Sequence, residues 1–253
     1  MIPFFKLDRQ VASNQPSDLH LSLTASRDWI TKRLFICVAA FFCGHFLEAI
    51  LGSDKRISRL LQFRFWTGMN EEMNIPTLFS VGLLLTASLL LGAIAYLAKR
   101  NDRKRFRNWR RLCVLFAIFA LDELLSFHEG FSKVLTPILE ENALDFGFLY
   151  HSWVLVGAAF AGVIFLVFIR FVLGLPTFFR NAFILSGLVF VSGSIGMEMI
   201  NGAWLAMAER GFVYDVLTGI EEALEMSGVV IFIYALMTYL QTQLYQVTVT
   251  LQD

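Results

Sequence analysis

Six runs of mostly apolar residues constrain this chain more than anything else in it: Leu34–Leu51, Thr77–Ala98, Leu112–Phe127, Trp153–Leu175, Ala182–Ile200 and Ile220–Leu240. About 20 apolar residues in a helix cross a hydrocarbon core of about 30 Å. No water reaches the backbone there, so each run must satisfy its own N–H and C=O groups as a helix. The whole sequence is 57% hydrophobic with 26 Phe, and its 17% of charged residues falls below the roughly 25% usual in soluble chains. The reading is an all-α polytopic membrane protein with about six transmembrane helices. The third run is short, and its helix is expected to continue to Gly130 as a C-cap glycine. Ile57–Trp66 and Phe131–Leu139 are amphipathic and are expected to lie along the interface.

The direction of insertion follows from the loops. Residues 99–111, KRNDRKRFRNWRR, hold eight Lys or Arg, a strong cytoplasmic signal. Counting outward from this segment places both termini in the cytoplasm and makes the expected location the plasma (cell inner) membrane. The expected organisation is a cytoplasmic N-terminal segment (1–33), a six-helix domain (34–240) and a cytoplasmic tail (241–253). Residues 1–33 lack the pattern of a cleavable signal, so the first span is expected to act as its own insertion signal. Formal net charge is zero, which removes any bulk electrostatic argument for nucleic acid. The partners expected are the lipid bilayer and either other membrane proteins or further copies of the chain. Cys37, Cys43 and Cys113 lie in apolar runs and read as small hydrophobes.

Against this background the ionisable residues inside the spans stand out: His45 and Glu48, Asp122 and Glu123, His128 and Glu129, Glu198, then Glu221, Glu222 and Glu225. A charged group at the bilayer centre costs about 2.5–3.5 kcal/mol or more, so such residues usually face a protein interior. Counting about 1.5 Å per residue from each cytoplasmic end puts His45, Asp122, Glu198 and Glu225 roughly 16–27 Å deep. Helices of opposite direction thus deliver their acids to one outer half of the bilayer. Azimuth agrees, because His45 and Glu48 share a face, as do Ser194, Glu198 and Asn201. The second and fourth spans carry no such group except Arg170, which either pairs with Asp122 or Glu123 or snorkels to the surface. The core bundle is therefore expected from spans one, three, five and six.

Four Glu and two His projecting from bundle helices is the donor set of di-iron and di-manganese carboxylate sites. Glu48, Glu129, Glu198, Glu225, His45 and His128 match it in number, though not in spacing, and a single zinc is equally compatible. The cofactor expected is a divalent metal, either iron, zinc or manganese, with Asp122 and Glu123 as catalytic acid and base.

Simpler readings stand beside these. Thr218-Gly-Ile-Glu221 fits a helix capping box, which would account for Glu221 and Glu222. His45 with Glu48 reads also as a packing pair, and Asn201 as the partner of Glu198. His151, next to Trp153, reads as an interfacial histidine. Three functions remain compatible: a metal-dependent membrane enzyme acting on a lipid or other apolar substrate, a proton or divalent-cation transporter, and an accessory subunit of a larger membrane complex. Broken helices would favour transport, and all six runs read as continuous.

Overall fold

A computed structural model describes residues 16–51, 66–69, 73–101, 103–127, 134–137 and 150–250, with the single positions 130 and 147. The described residues are mostly helical, with no strand among them, and form seven main helices: α1 (Pro16–Leu51), α2 (Ile75–Asn101), α3 (Arg103–Leu125), α4 (Trp153–Leu173), α5 (Thr177–Val191), α6 (Glu198–Leu205) and α7 (Phe212–Thr250). A π-helical segment, Ser192–Met197, joins α5 to α6. Five stretches are long and apolar enough to cross a membrane: Ser26–Leu51, Ile75–Lys99, Trp153–Leu173, Thr177–Leu205 and Phe212–Gln243. The sixth expected span corresponds to α3, whose first half is basic and whose apolar part, from Leu112 on, is only about 21 Å long. The protein is thus an all-α, multi-pass membrane protein in contact with the bilayer.

α7 is the axis of the bundle. It packs against α1, α2, α5 and the π segment, and Met226, Val230, Ala235 and Leu236 on it are fully buried. The core takes in the second span as well as those expected, because α2 buries Leu83, Leu84, Ala87, Leu91 and Ile94 against α3 and α7. Its opposite face, with Leu89 and Tyr96, is exposed as lipid contact requires. α4 differs from the others. It touches α3 only sparsely, and most of its surface is open, Leu166 being 72% exposed.

The basic stretch 99–111 is not a loop. All of it except residue 102, which is not described, is helix, and it contains Trp109, the largest fully buried side chain (0% exposed). The indole ring meets Phe171 edge-on at 4.8 Å, Phe183 at 6.0 Å and Tyr239 at 5.0 Å. Long cations leave their heads at the polar boundary while this one aromatic turns inward. The tryptophan therefore ties α3 to α4, α5 and α7 at the basic end.

Local sequence explains the helix ends. Asn74 caps α2: its Oδ1 accepts from the Thr77 N–H at 3.0 Å and from the Thr77 hydroxyl at 2.9 Å, while its Nδ2 donates to the Gly68 carbonyl. α3 ends earlier than Gly130. Ser126 takes a left-handed conformation (φ 51°), and its N–H returns to the Asp122 carbonyl at 2.6 Å. That is a C-terminal stop made by a serine rather than a glycine. The π segment, unlike the continuous span expected, has serine hydroxyls turned back on the preceding turn, Ser192 to Leu188 at 2.7 Å and Ser194 to Phe190 at 3.1 Å. Such back-bonding competes with regular helix geometry. The interface segment expected at Ile57–Trp66 lies outside the described residues apart from Trp66, as does most of Phe131–Leu139.

Candidate functional site

Three elements carry the acids to one place. α7 contributes Glu221, Glu222 and Glu225, the start of α6 contributes Glu198, and the last turn of α3 contributes Asp122 and Glu123. Glu225 lies within electrostatic reach of Glu222, Glu123, Glu198 and Asp122. Close crossing of α7 over the π segment makes this convergence possible. A Cβ added to Gly193 would lie 2.8 Å from the Glu221 carbonyl and 2.9 Å from Glu225 Cγ. One built on Gly228 would lie 2.8 Å from the Phe190 nitrogen. Only hydrogen fits between the two backbones at these positions.

Glu198 and Glu221 are the best-defined pair. Both line the same end of one cleft. The Trp153 indole N–H donates to Glu198 Oε1 at 2.9 Å, and His151 Nδ1 stands 3.5 Å from the same oxygen. On the other side Asn201 Nδ2 donates to Glu221 Oε2 at 2.6 Å and contacts the Thr218 hydroxyl at 3.4 Å. Asn201 is 1% exposed and Glu221 9% exposed. The capping-box reading of Glu221 is corrected by this geometry. α7 starts at Phe212, so Thr218 and Glu221 sit two turns inside the helix. Asn201 serves Glu221 rather than Glu198, and His151 is a site residue rather than a free interfacial histidine. Arg210 and Tyr214 were not anticipated. The Arg210 guanidinium lies 5.2 Å above the Tyr214 ring, and both residues line the cleft together with Thr218. Their signal in the sequence was weak, because both precede the apolar run of the last span. Arg170 is exposed in the last turn of α4, at the end away from Trp153, so it does not pair with Asp122 or Glu123.

His45 belongs to a different arrangement. Its Nδ1 accepts the Met69 N–H at 3.1 Å, so the proton is on Nε2, which donates to the Asp215 carbonyl at 2.8 Å. The ring is 3% exposed and pins α1 to the start of α7 and to the 66–69 turn. Both nitrogens are committed to backbone, so neither can ligate a metal in this conformation. Glu48, on the same helix, does not line the cleft described below. His128 and Glu129 lie outside the described residues. Among the described residues no group of three or more His, Cys, Asp or Glu is placed to hold a metal ion. The donor set expected of His45, Glu48, Glu198 and Glu225 is therefore not assembled, because its histidine is a structural staple on another helix pair.

The acids close one end of a cleft of about 1580 Å³. Its polar end holds Asp122, Glu123, Glu198, Glu221, Glu222 and Glu225 with His151, Arg210 and Tyr214. Away from that end the walls become apolar: Phe116 and Phe119 from α3, Phe160, Ile164 and Phe165 from α4, Phe190 from α5 and Phe232 from α7. Phe119 bridges the walls, edge-on to Phe160 at 6.2 Å and stacked on Phe190 at 5.9 Å. The cleft thus follows the loose α3–α4 seam.

Residues 33–240 match the family described as a domain of unknown function, DUF8692. The chain belongs to that family. No curated protein and no solved structure is detectably similar to it. The DUF8692 match spans α2 to α6 entire, with the second half of α1 and α7 as far as Leu240, so every described residue of the cleft falls within it. In chemical terms the DUF8692 cleft offers a largely apolar trough of about 1580 Å³, larger than the roughly 300–1,000 Å³ of most small-molecule pockets. One end of that trough presents carboxyls.

Proposed function

We propose that this DUF8692 protein is a plasma (inner) membrane protein that takes an amphiphilic, lipid-like molecule from the bilayer into the cleft, with its head group among the carboxyls. The observation that carries the reading is the continuity of one cleft from an acidic end to a phenylalanine-lined seam. A charged patch without an apolar trough would suit a free ion, and an apolar groove without acids would suit helix contact alone. Apolar chains leave lipid for a protein surface of equal polarity at little cost, so head-group contacts supply the selectivity. Asp122 and Glu123, at the end of α3, are the acid–base candidates for any chemistry on the bound head. On the positive-inside argument the basic α2–α3 junction is cytoplasmic, which puts the acidic end toward the outer leaflet.

Native mass spectrometry of the protein in a neutral maltoside detergent tests this. A single-chain alkyltrimethylammonium is expected to bind, and an alkyl sulfate of the same length is not. Gly162 lines the cleft with open space where a side chain would grow, so Gly162→Phe fills the trough without a clash. That variant is expected to fold and to lose the bound amphiphile. Equal binding to wild type and Gly162→Phe would sink the proposal.

A further inference from the structure

The cleft presents charges of both signs, and α7 sets their order. Tyr214, Thr218, Glu221, Glu225 and Phe232 all line it. At about 100° per residue these five positions fall within an arc of about 60°, so one face of the helix carries them in succession. At about 1.5 Å per residue, Glu221 lies about 10 Å along the axis from Tyr214, Glu225 about 16 Å and Phe232 about 27 Å. Arg210 precedes the helix, is exposed, lines the same cleft and holds its guanidinium 5.2 Å above the Tyr214 ring. Along α7 from its start, the cleft therefore offers a guanidinium, then a phenol and a hydroxyl, then carboxyls, then phenylalanine. The positive charge lies farthest from the apolar trough. A second observation concerns Arg210 itself. Six carboxyls line the same cleft, yet among the described residues none forms an ion pair with it. The Tyr214 ring holds the guanidinium instead, and stacking of this kind leaves the planar N–H fork of an arginine open to an oxyanion.

We propose that the cleft selects amphiphiles by charge order: a cationic nitrogen next to the apolar chain and an anionic group at the far tip, as in a betaine. The inference rests on the amphiphile reading above and names its class. The chain lies in the phenylalanine trough, the nitrogen meets Glu221 and Glu225, and the anion takes the Arg210 fork beside Tyr214. The opposite order, chain then phosphate then ammonium, places the phosphate among the carboxyls and the ammonium against the guanidinium. Like charges then meet at both positions, and selectivity comes from that repulsion as much as from the matched attractions. A head group that is only cationic satisfies the carboxyls but leaves the guanidinium unused. Burial follows the same order. Arg210 is exposed, so an anion there keeps contact with water, whereas Glu221 is 9% exposed and meets a cation that has left it.

The test compares three probes of one chain length by native mass spectrometry in neutral maltoside: an alkyl sulfobetaine, an alkylphosphocholine and an alkyltrimethylammonium. The sulfobetaine carries its cation next to the chain, and the phosphocholine carries its anion there. Wild type is expected to bind the sulfobetaine about tenfold more tightly than the phosphocholine, and more tightly than the trimethylammonium. Arg210→Gln is expected to remove the advantage of the sulfobetaine over the trimethylammonium. Arg210 is exposed, so this variant is expected to fold, and the wild-type comparison decides the charge order without it. Equal binding of the two zwitterions, or tighter binding of the phosphocholine, overturns the charge order, while loss of binding in Gly162→Phe still supports the amphiphile reading. A sulfobetaine advantage that persists in Arg210→Gln overturns Arg210 as the anion site. If none of the three probes binds, the amphiphile reading fails and takes the charge order with it.

Discussion

Gly228→Ala places a methyl group where α7 crosses α5. The new Cβ would meet the Phe190 nitrogen at 2.8 Å, its Cβ at 2.9 Å and its Cα at 3.0 Å. Two of those three atoms are backbone, so no side-chain rotation relieves the contact. Ordinary contact begins at 3.4 Å, so the helices must separate by roughly 0.6 Å along that line. Overpacking of this kind costs about 1–3 kcal/mol. Alanine returns up to about 1 kcal/mol through better helix propensity. The net expectation is a loss of about 1–2 kcal/mol, read as a fall in Tm of about 2–8 °C for a chain of this size. Gly187→Ala on α5 and Gly82→Ala on α2 are matched controls, since a Cβ at either has nothing within 4 Å. They are expected to hold or raise Tm. Thermal unfolding by circular dichroism in one neutral detergent compares the three directly. If Gly228→Ala melts with the controls, the close crossing of α5 and α7 is not a constraint on this bundle.

Trp109→Ala removes a fully buried ring from its contacts with Phe171, Phe183 and Tyr239 and is expected to cost about 3–5 kcal/mol. A denaturation midpoint like that of an exposed substitution in α3 would contradict the inward position of the indole. His45→Phe keeps the ring volume but orphans the Met69 N–H and the Asp215 carbonyl, for an expected loss of about 1–3 kcal/mol. Elemental analysis should find its metal content equal to wild type, and a stoichiometric metal lost in this variant would restore His45 as a ligand. Ser126→Gly should be neutral or stabilising, because Ser126 holds φ 51°, whereas Ser126→Val should cost about 1–2 kcal/mol or more. Equal Tm values for the two would show that the left-handed stop of α3 is absent.

Hydropathy alone carried the class, because a continuous run of about 20 apolar residues closes its own hydrogen bonds in lipid only as a helix, and the runs were that long. It failed at residues 99–111 for a stated reason. Eight cations dominate any average over that stretch, and a single Trp109 among them leaves no periodic signal. The convergence of Asp122, Glu123, Glu198 and Glu225 was legible as shared depth and shared faces. The pairing of Glu198 with Glu221 was not, because the π segment changes the phase between Ser194 and Glu198, and no rule of 100° per residue anticipates that. Thr218 and Glu221 carried a genuine capping pattern, overridden because α7 begins two turns earlier at Phe212. His45 was misread in the other direction. Its partners are backbone groups 24 and 170 residues away, which no local spacing reveals.

A π turn differs from an α turn by one residue in each hydrogen-bonded ring. Ser192–Met197 therefore carries one residue more than a regular α-helix would at that place, and a single-codon deletion there would leave regular α-helix behind. Such a deletion would turn everything on one side of it by about 100° relative to the other. Trp153 and Asn201 would then address different oxygens, or none. The reading frame of this helix, and not only the identity of its acids, fixes which carboxyls meet.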